Sequence, residues 1–174
     1  MRDMTKEPVK KTRSLSHIGA DGAARMVDVG GKQVTARVAR AEAVVRLGRA
    51  LTRRLRETGG AAKGGVIETA RIAGIQAAKR TAELIPMCHL IPLDAIDIRV
   101  EFSDDALRIE ATVSCRAATG AEMEALTAAS VASLTVYDMC KSARRGIEIG
   151  PVRLLHKRGG RSGVWSREKH LGQD

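Results

Sequence analysis

An α+β domain built on an antiparallel sheet is what this sequence predicts, on three observations. Residues 96–102 (IDIRVEF) and 107–113 (LRIEATV) alternate apolar and polar side chains and are joined by Ser103-Asp104-Asp105, the pattern of a β-hairpin. Three other stretches carry apolar or small residues at helical spacing: Leu47, Leu51 and Leu55, the run 66–84, and the run 119–141. Strand-like segments also precede the first helix and follow the last. The resulting order, β-α-β-β-α-β, is a ferredoxin-like arrangement, an antiparallel sheet with helices packed on one face.

Taken in order, residues 1–15 read as a basic disordered tail, charged throughout and without the apolar segment of a signal peptide. Asp21-Gly22 marks a turn, after which 25–29 and the alternating 34–38 read as strands. The leucine-spaced helix ends before Gly59-Gly60, and the stretch GGAAKGG carries Lys63 toward the next helix. That helix spans 66–84, with Ala70, Ala73, Gly74, Ala77 and Ala78 making a smooth side, until Pro86 forbids its continuation. After the hairpin and the long helix, 147–149 and 152–155 supply a closing strand, where Pro151 suggests an edge position or a bulge. A single catalytic domain is expected over 16–165, with a C-terminal tail at 166–174.

The chain of 174 residues is 44% hydrophobic, enough for one core. Its net charge of +10 points to an anionic partner. With aromatic residues at 2%, a base-stacking platform for single strands is missing, and a phosphorylated small molecule fits better than nucleic acid. Cys88, Cys115 and Cys140 form neither a disulfide framework nor a C-x-x-C pair, which reads as a reducing, cytoplasmic compartment. No stretch is long and apolar enough for a membrane span.

The 119–141 stretch, TGAEMEALTAASVASLTVYDMCK, places ionisable groups in an otherwise small and apolar helix. Asp138 and Lys141, three apart, share a helix face; they are either an ordinary ion pair or an acid/base pair, and the apolar sequence neighbours of Asp138 favour partial desolvation. Thr119 and Glu122 match a capping box, while Glu124 is less easily explained by capping. Glu124 and Asp138 are roughly 21 Å apart along one helix, so a site using both must combine the helix start of one subunit with the helix end of another. Cys88 and His89, adjacent between two prolines, are expected to point to opposite sides of an extended segment, which argues against a nucleophilic pair; with only Cys115 and Cys140 at a distance, they make a weak metal case by spacing. Lys63 does not lie in a Walker A loop, and reads either as a phosphate-holding lysine or as a surface one. The basic, glycine-rich run 155–163 has the same two readings, with a mobile tail as the plain one.

The segments TARIAGIQAAKRTAELIPMCH and TGAEMEALTAASVASLTVYDMCK, the early MVDV and the late GPVRLLHKRGGRSG resemble the cyclic pyranopterin monophosphate synthase (MoaC) family of molybdenum-cofactor biosynthesis, from His17 to about Trp165. The resemblance implies a lyase that turns (8S)-3′,8-cyclo-7,8-dihydroguanosine 5′-triphosphate into cyclic pyranopterin monophosphate and diphosphate. It implies a ferredoxin-like fold and a homohexamer, a trimer of dimers with its active site at a subunit interface. By the same resemblance Asp138, Lys141 and Lys63 are catalytic. Met87, Cys88, His89, Glu122, Met123, Glu124, Arg37 and Lys157 are substrate-binding. No cofactor or resident metal is implied; Mg²⁺ would at most accompany the triphosphate. Leu90 stands where the family commonly has proline, Ala121 where valine is usual, and Ala118 where a charged residue is frequent. The competing readings are a non-catalytic polyanion or nucleic-acid-binding module and an inactive family member that serves as an assembly partner.

Overall fold

A computed structural model describes residues 15–58 and 65–169. Among these, β1 (Thr35–Arg46) leads through α1 (Arg49–Thr58), α2 (Val66–Lys79) and the short α3 (Thr81–Leu84) to β2 (Leu93–Phe102). β3 (Ala106–Ala117), α4 (Glu122–Cys140), β4 (Glu148–Arg158) and β5 (Val164–Ser166) follow, with a 3₁₀ turn at Arg167–Lys169. The strands form one sheet in the order β2-β3-β1-β4-β5, every neighbouring pair antiparallel. Without β5 this is the ferredoxin-like order that the β-α-β-β-α-β reading requires, and β5 extends its edge.

Period-two alternation decides which face is dry. Ala39, Ala41, Ala43 and Val45 of β1 and Leu107, Ile109, Ala111 and Val113 of β3 are fully buried beneath the helices. On the opposite face Glu42 accepts from Arg108 at 2.5 Å and from Arg153 at 2.6 Å, and Arg108 also reaches Glu101 and Glu110. An ion-pair network therefore does there what helices do on the other side.

The helix layer is thin because its contact residues are small. Ala70 and Ala78 of α2 share a buried cluster with Ala128, Ala129 and Ala132 of α4, and a methyl group at Gly74 would strike Ile98 and approach the Ala128 carbonyl at 2.9 Å. Close approach lets both helices lie on four strands without aromatic filler.

The structure departs from the sequence reading in several places. Residues 25–29 are not a strand: past the Asp21-Gly22 turn, closed by an Ile18–Ala24 bridge, the chain finds no neighbouring strand until Thr35. β1 runs eight residues beyond 38, through ARAEAVVR, whose alanines and glutamate mask a strand that packing imposes. The expected helix 66–84 breaks at Arg80, where the Thr81 hydroxyl donates to the carbonyls of Ala77 and Ala78 and starts a separate turn. Pro151, by contrast, meets the expectation: it sits where the β1–β4 register slips between Ala43 and Val45, at a bulge. The run 155–163 is no loose tail: it completes β4 and turns through Gly159–Gly163 hydrogen bonds into β5, so the boundary at 165 falls inside an ordered hairpin. Lys63 and most of the two expected tails lie outside the described residues.

Candidate functional site

Four chain segments converge at one end of the sheet: the start of β1, the β3–α4 turn, the first turn of α4 and the β4–β5 turn. They enclose a cleft of about 750 Å³. Lys32, Arg37, Lys157, Arg158 and Arg161 line it, against one carboxylate, Glu122. A hollow with five cations and one acid is fitted to a polyanion.

Arg37 holds three of these segments together. Its Nε donates to the carbonyl of Ala117 and its Nη2 to that of Ala118, each at 2.9 Å, so the guanidinium of β1 fixes the turn that launches α4. The β4–β5 turn closes over the same group: a methyl group on Gly159 would hit the Ala36 carbonyl, and one on Gly160 would hit the guanidinium. Both glycines also have positive φ, 107° and 68°, a conformation side-chain-bearing residues rarely adopt.

Glu122 is not the capping residue that the Thr119 spacing suggests. The residue before α4 is Ala121, no side chain caps the helix, and the Glu122 carboxylate instead accepts from Lys157 Nζ at 2.9 Å. Both partners are about one-third exposed, so the pair sits in the cleft wall, open to exchange with a ligand. Met123 points outward beside it.

Glu124, two residues on and on the other side of the helix, is sealed at 2% exposure, and its Oε2 has no hydrogen-bond partner. Its Oε1 lies 3.5 Å from Cys88 Sγ, which brings the segment carrying Met87, Cys88 and His89 alongside the start of α4. Burial pushes the Glu124 carboxyl above the ordinary glutamate range, against the pull of its own backbone N–H and the Cys88 thiol. Burial, reinforced by Glu124, likewise pushes the Cys88 thiol up to about 11. Met87, Cys88 and His89 are all half-buried, whereas Leu90 projects into solvent.

Asp138 and Lys141 are elsewhere in this chain. Lys141 Nζ donates to Asp138 Oδ1 at 2.6 Å, but the side chains are 61% and 71% exposed, and sixteen helical positions put Asp138 about 24 Å from Glu122. The desolvation suggested by the apolar neighbours of Asp138 does not exist within the chain. Val136 and Cys140 turn into the core, while Tyr137 and Asp138 face out with Leu134 one turn earlier. Sequence neighbours on a helix diverge by about 100°, so an apolar flank does not make an apolar environment. Lys141 is held above its ordinary value by its hydrogen bond to Asp138 and the carboxylate's charge.

Arg158 and Arg161 belong to the basic, glycine-rich run 155–163, and the cleft favours its ligand-holding reading over that of a mobile tail. The sequence reading missed Lys32, which precedes β1 and carries no signal beyond its charge. Among the described residues no group of three or more His, Cys, Asp or Glu side chains could hold a metal ion, and no helix is long and apolar enough to cross a membrane.

Fold and cleft together define an α+β domain with a cationic cleft at one end of its antiparallel sheet. The family model described as the MoaC family matches residues 26–160, and the chain belongs to that family. It is 55% identical over 157 residues to the cyclic pyranopterin monophosphate synthase of Chloroflexus aggregans, covering 89% of this chain and 94% of that protein. To the proteins of the same name from Thermomicrobium roseum and Novosphingobium aromaticivorans it is 54% and 52% identical, over 88% and 87% of this chain and 93% and 96% of theirs.

Proposed function

We propose that this chain is a phosphorus–oxygen lyase of molybdenum-cofactor biosynthesis. It converts (8S)-3′,8-cyclo-7,8-dihydroguanosine 5′-triphosphate to cyclic pyranopterin monophosphate and diphosphate. The observation that carries the reading is the cationic cleft on a member of this family: five basic side chains converge where a triphosphate would need charge neutralised.

Closing the cyclic phosphate requires a sugar hydroxyl to attack the α-phosphorus and expel diphosphate. Fixed cations hold the triphosphate and stabilise the departing oxygens. Lys157 and Arg161 line the cleft for this work, and Arg37 both lines the cleft and fixes its wall; the family resemblance adds Lys63 as a catalytic cation. Glu122 releases Lys157 when a phosphate displaces it. Met87, His89 and Met123 border the ring of the substrate.

Rearranging a guanine-derived ring to a pterin moves protons at several heteroatoms, the task of Asp138 and Lys141. Their exposure on the outward face of α4, beside Leu134 and Tyr137, fits delivery into a neighbouring copy's cleft. The working unit is then a homohexamer, a trimer of dimers in the cytoplasm, with each site completed across an interface. No redox step occurs, so no redox cofactor takes part, and Mg²⁺ enters at most with the triphosphate.

Diphosphate release from the cyclised GTP derivative tests this. Wild-type protein releases it; Asp138→Ala and Lys141→Ala each lose at least about 100-fold in kcat, the usual worth of a positioned acid or base. Release at the wild-type rate in both variants would refute the assigned roles. Mixing the Asp138→Ala chain with a Lys157→Ala chain should restore part of the activity if one site draws on two chains.

A further inference from the structure

Residues 15–33 are tied only to one another. The Arg25 guanidinium donates to the Asp21 carboxylate and the Arg25 N–H to the His17 carbonyl, while the Gly30 N–H donates to Asp28 and the Lys32 N–H to the Val29 carbonyl. Among the described residues no hydrogen bond or ion pair leads from this stretch to any other part of the chain. Leu15, Ile18 and Met26 within it, and Val34 just after it, are nevertheless large apolar side chains left about half exposed or more. A segment with so few buried contacts opens locally at little cost. Its last residues, Gly31, Lys32 and Gln33, line the cleft. Lys32 shares that cleft with Arg37, Lys157, Arg158 and Arg161, and the one acid there, Glu122, is already paired with Lys157. Of these five cations only Lys32 stands on a stretch without ties to the sheet or helices. In the ligand-free protein like charges therefore push it outward, and a bound polyphosphate reverses the sign of that force.

We infer that residues 17–34 form a strap that closes over the cleft when a polyphosphate enters it, with Lys32 as its latch. Gly30 and Gly31 are the bend that lets residues 17–29 follow the lysine inward: glycine leaves the backbone free, and a methyl group on Gly31 would meet nothing. The ligand favours the closed form because there Lys32 reaches the phosphates, the differential contact that a conformational change requires. Closing also gives Ile18 and Met26 a surface to cover, which the open strap does not offer them. For the proposed reaction the consequence is a drier α-phosphorus, so that the sugar hydroxyl meets less competition from water.

The strap rests on the reading of the cleft as a polyphosphate site, and inorganic tripolyphosphate tests it without any turnover. Amide hydrogen exchange of the full-length protein is followed with and without saturating tripolyphosphate, whose binding is measured separately by calorimetry. Amides of residues 17–29 should exchange freely in the ligand-free protein and slow at least about 10-fold with the ligand, while those of β3 and α4 stay as they were. Lys32→Ala, saturated with tripolyphosphate, should lose that slowing. Met26→Ser leaves every cation in place and should keep the binding but show less slowing. Binding with exchange slowed only at residues 31–33 overturns the strap and makes Lys32 an ordinary phosphate ligand; slowing in Lys32→Ala equal to wild type overturns it as well. Failure of tripolyphosphate to bind overturns the strap and the polyphosphate reading of the cleft together. If exchange slows as expected but the protein releases no diphosphate from the cyclised GTP derivative, the strap stands and the proposed function falls.

Discussion

Removing the guanidinium at Arg37 separates a wall-building arginine from a ligand-binding one. Two charge-assisted hydrogen bonds of 2.9 Å hold the carbonyls of Ala117 and Ala118. At about 1.5 kcal/mol each, the low end for charged donors because the group is only partly buried, Arg37→Ala costs about 3 kcal/mol of stability. For a domain of this size that lowers the melting temperature by roughly 6–12 °C. Arg37→Lys keeps the charge but cannot bridge two carbonyls with one planar fork, so it loses about half as much. The assay pairs thermal unfolding at fixed protein concentration with kcat and KM for the cyclised GTP derivative. The expected result is a graded loss of stability, with Lys between Arg and Ala, and a fall in kcat that added salt does not mimic. A melting temperature within about 1 °C of wild type in Arg37→Ala, with KM alone raised, would refute the reasoning and make Arg37 a phosphate ligand only.

Gly74→Ala should destabilise the protein: overpacking against Ile98 and the immovable Ala128 carbonyl costs about 1–3 kcal/mol, more than the ~1 kcal/mol gained in helix propensity, which chemical denaturation will measure. Burial alone would push the Glu42 carboxyl up, but hydrogen bonds and charge from Arg108 and Arg153 outweigh it and hold it below the ordinary glutamate value of 4.5. A depressed carboxyl pKa stabilises the fold above the unfolded value; unfolding free energy should therefore fall as pH drops below about 4.5, and less steeply in Glu42→Gln. With its thiol near 11, Cys88 should be only about 0.1% thiolate at pH 8, so the native protein resists alkylation by iodoacetamide that the denatured chain accepts readily.

Much of the fold was legible because it depends on local period and punctuation. The 96–113 hairpin, the leucine-spaced first helix and the long acidic helix are written in side-chain alternation that any strand or helix must obey, and they form where expected. The second half of β1 and the whole of β5 were not, because ARAEAVVR and VWS become strands only when neighbouring strands offer hydrogen bonds. Within the candidate site, Arg37, Glu122 and Lys157 were marked by the family's motifs, but their partners were not. Arg158 and Arg161 were visible only as part of a basic, glycine-rich run with two readings, and Lys32 has no signature beyond charge.

The sequence by itself determined the layer architecture, the basic character of the ligand's counterpart and the identity of the groups able to move protons, since each is a property of residue type and spacing. Only the tertiary structure decided where those groups stand. It took Glu122 from a helix cap to an ion pair across the cleft and sealed Glu124 against a thiol. It also set Asp138 and Lys141 in solvent at the far end of the helix. The reason is that burial and pairing are made by contacts between residues distant in the chain: Glu122 meets Lys157 across 35 positions, and Glu124 meets Cys88 across 36. A sequence window reports only the neighbours that a helix turns away.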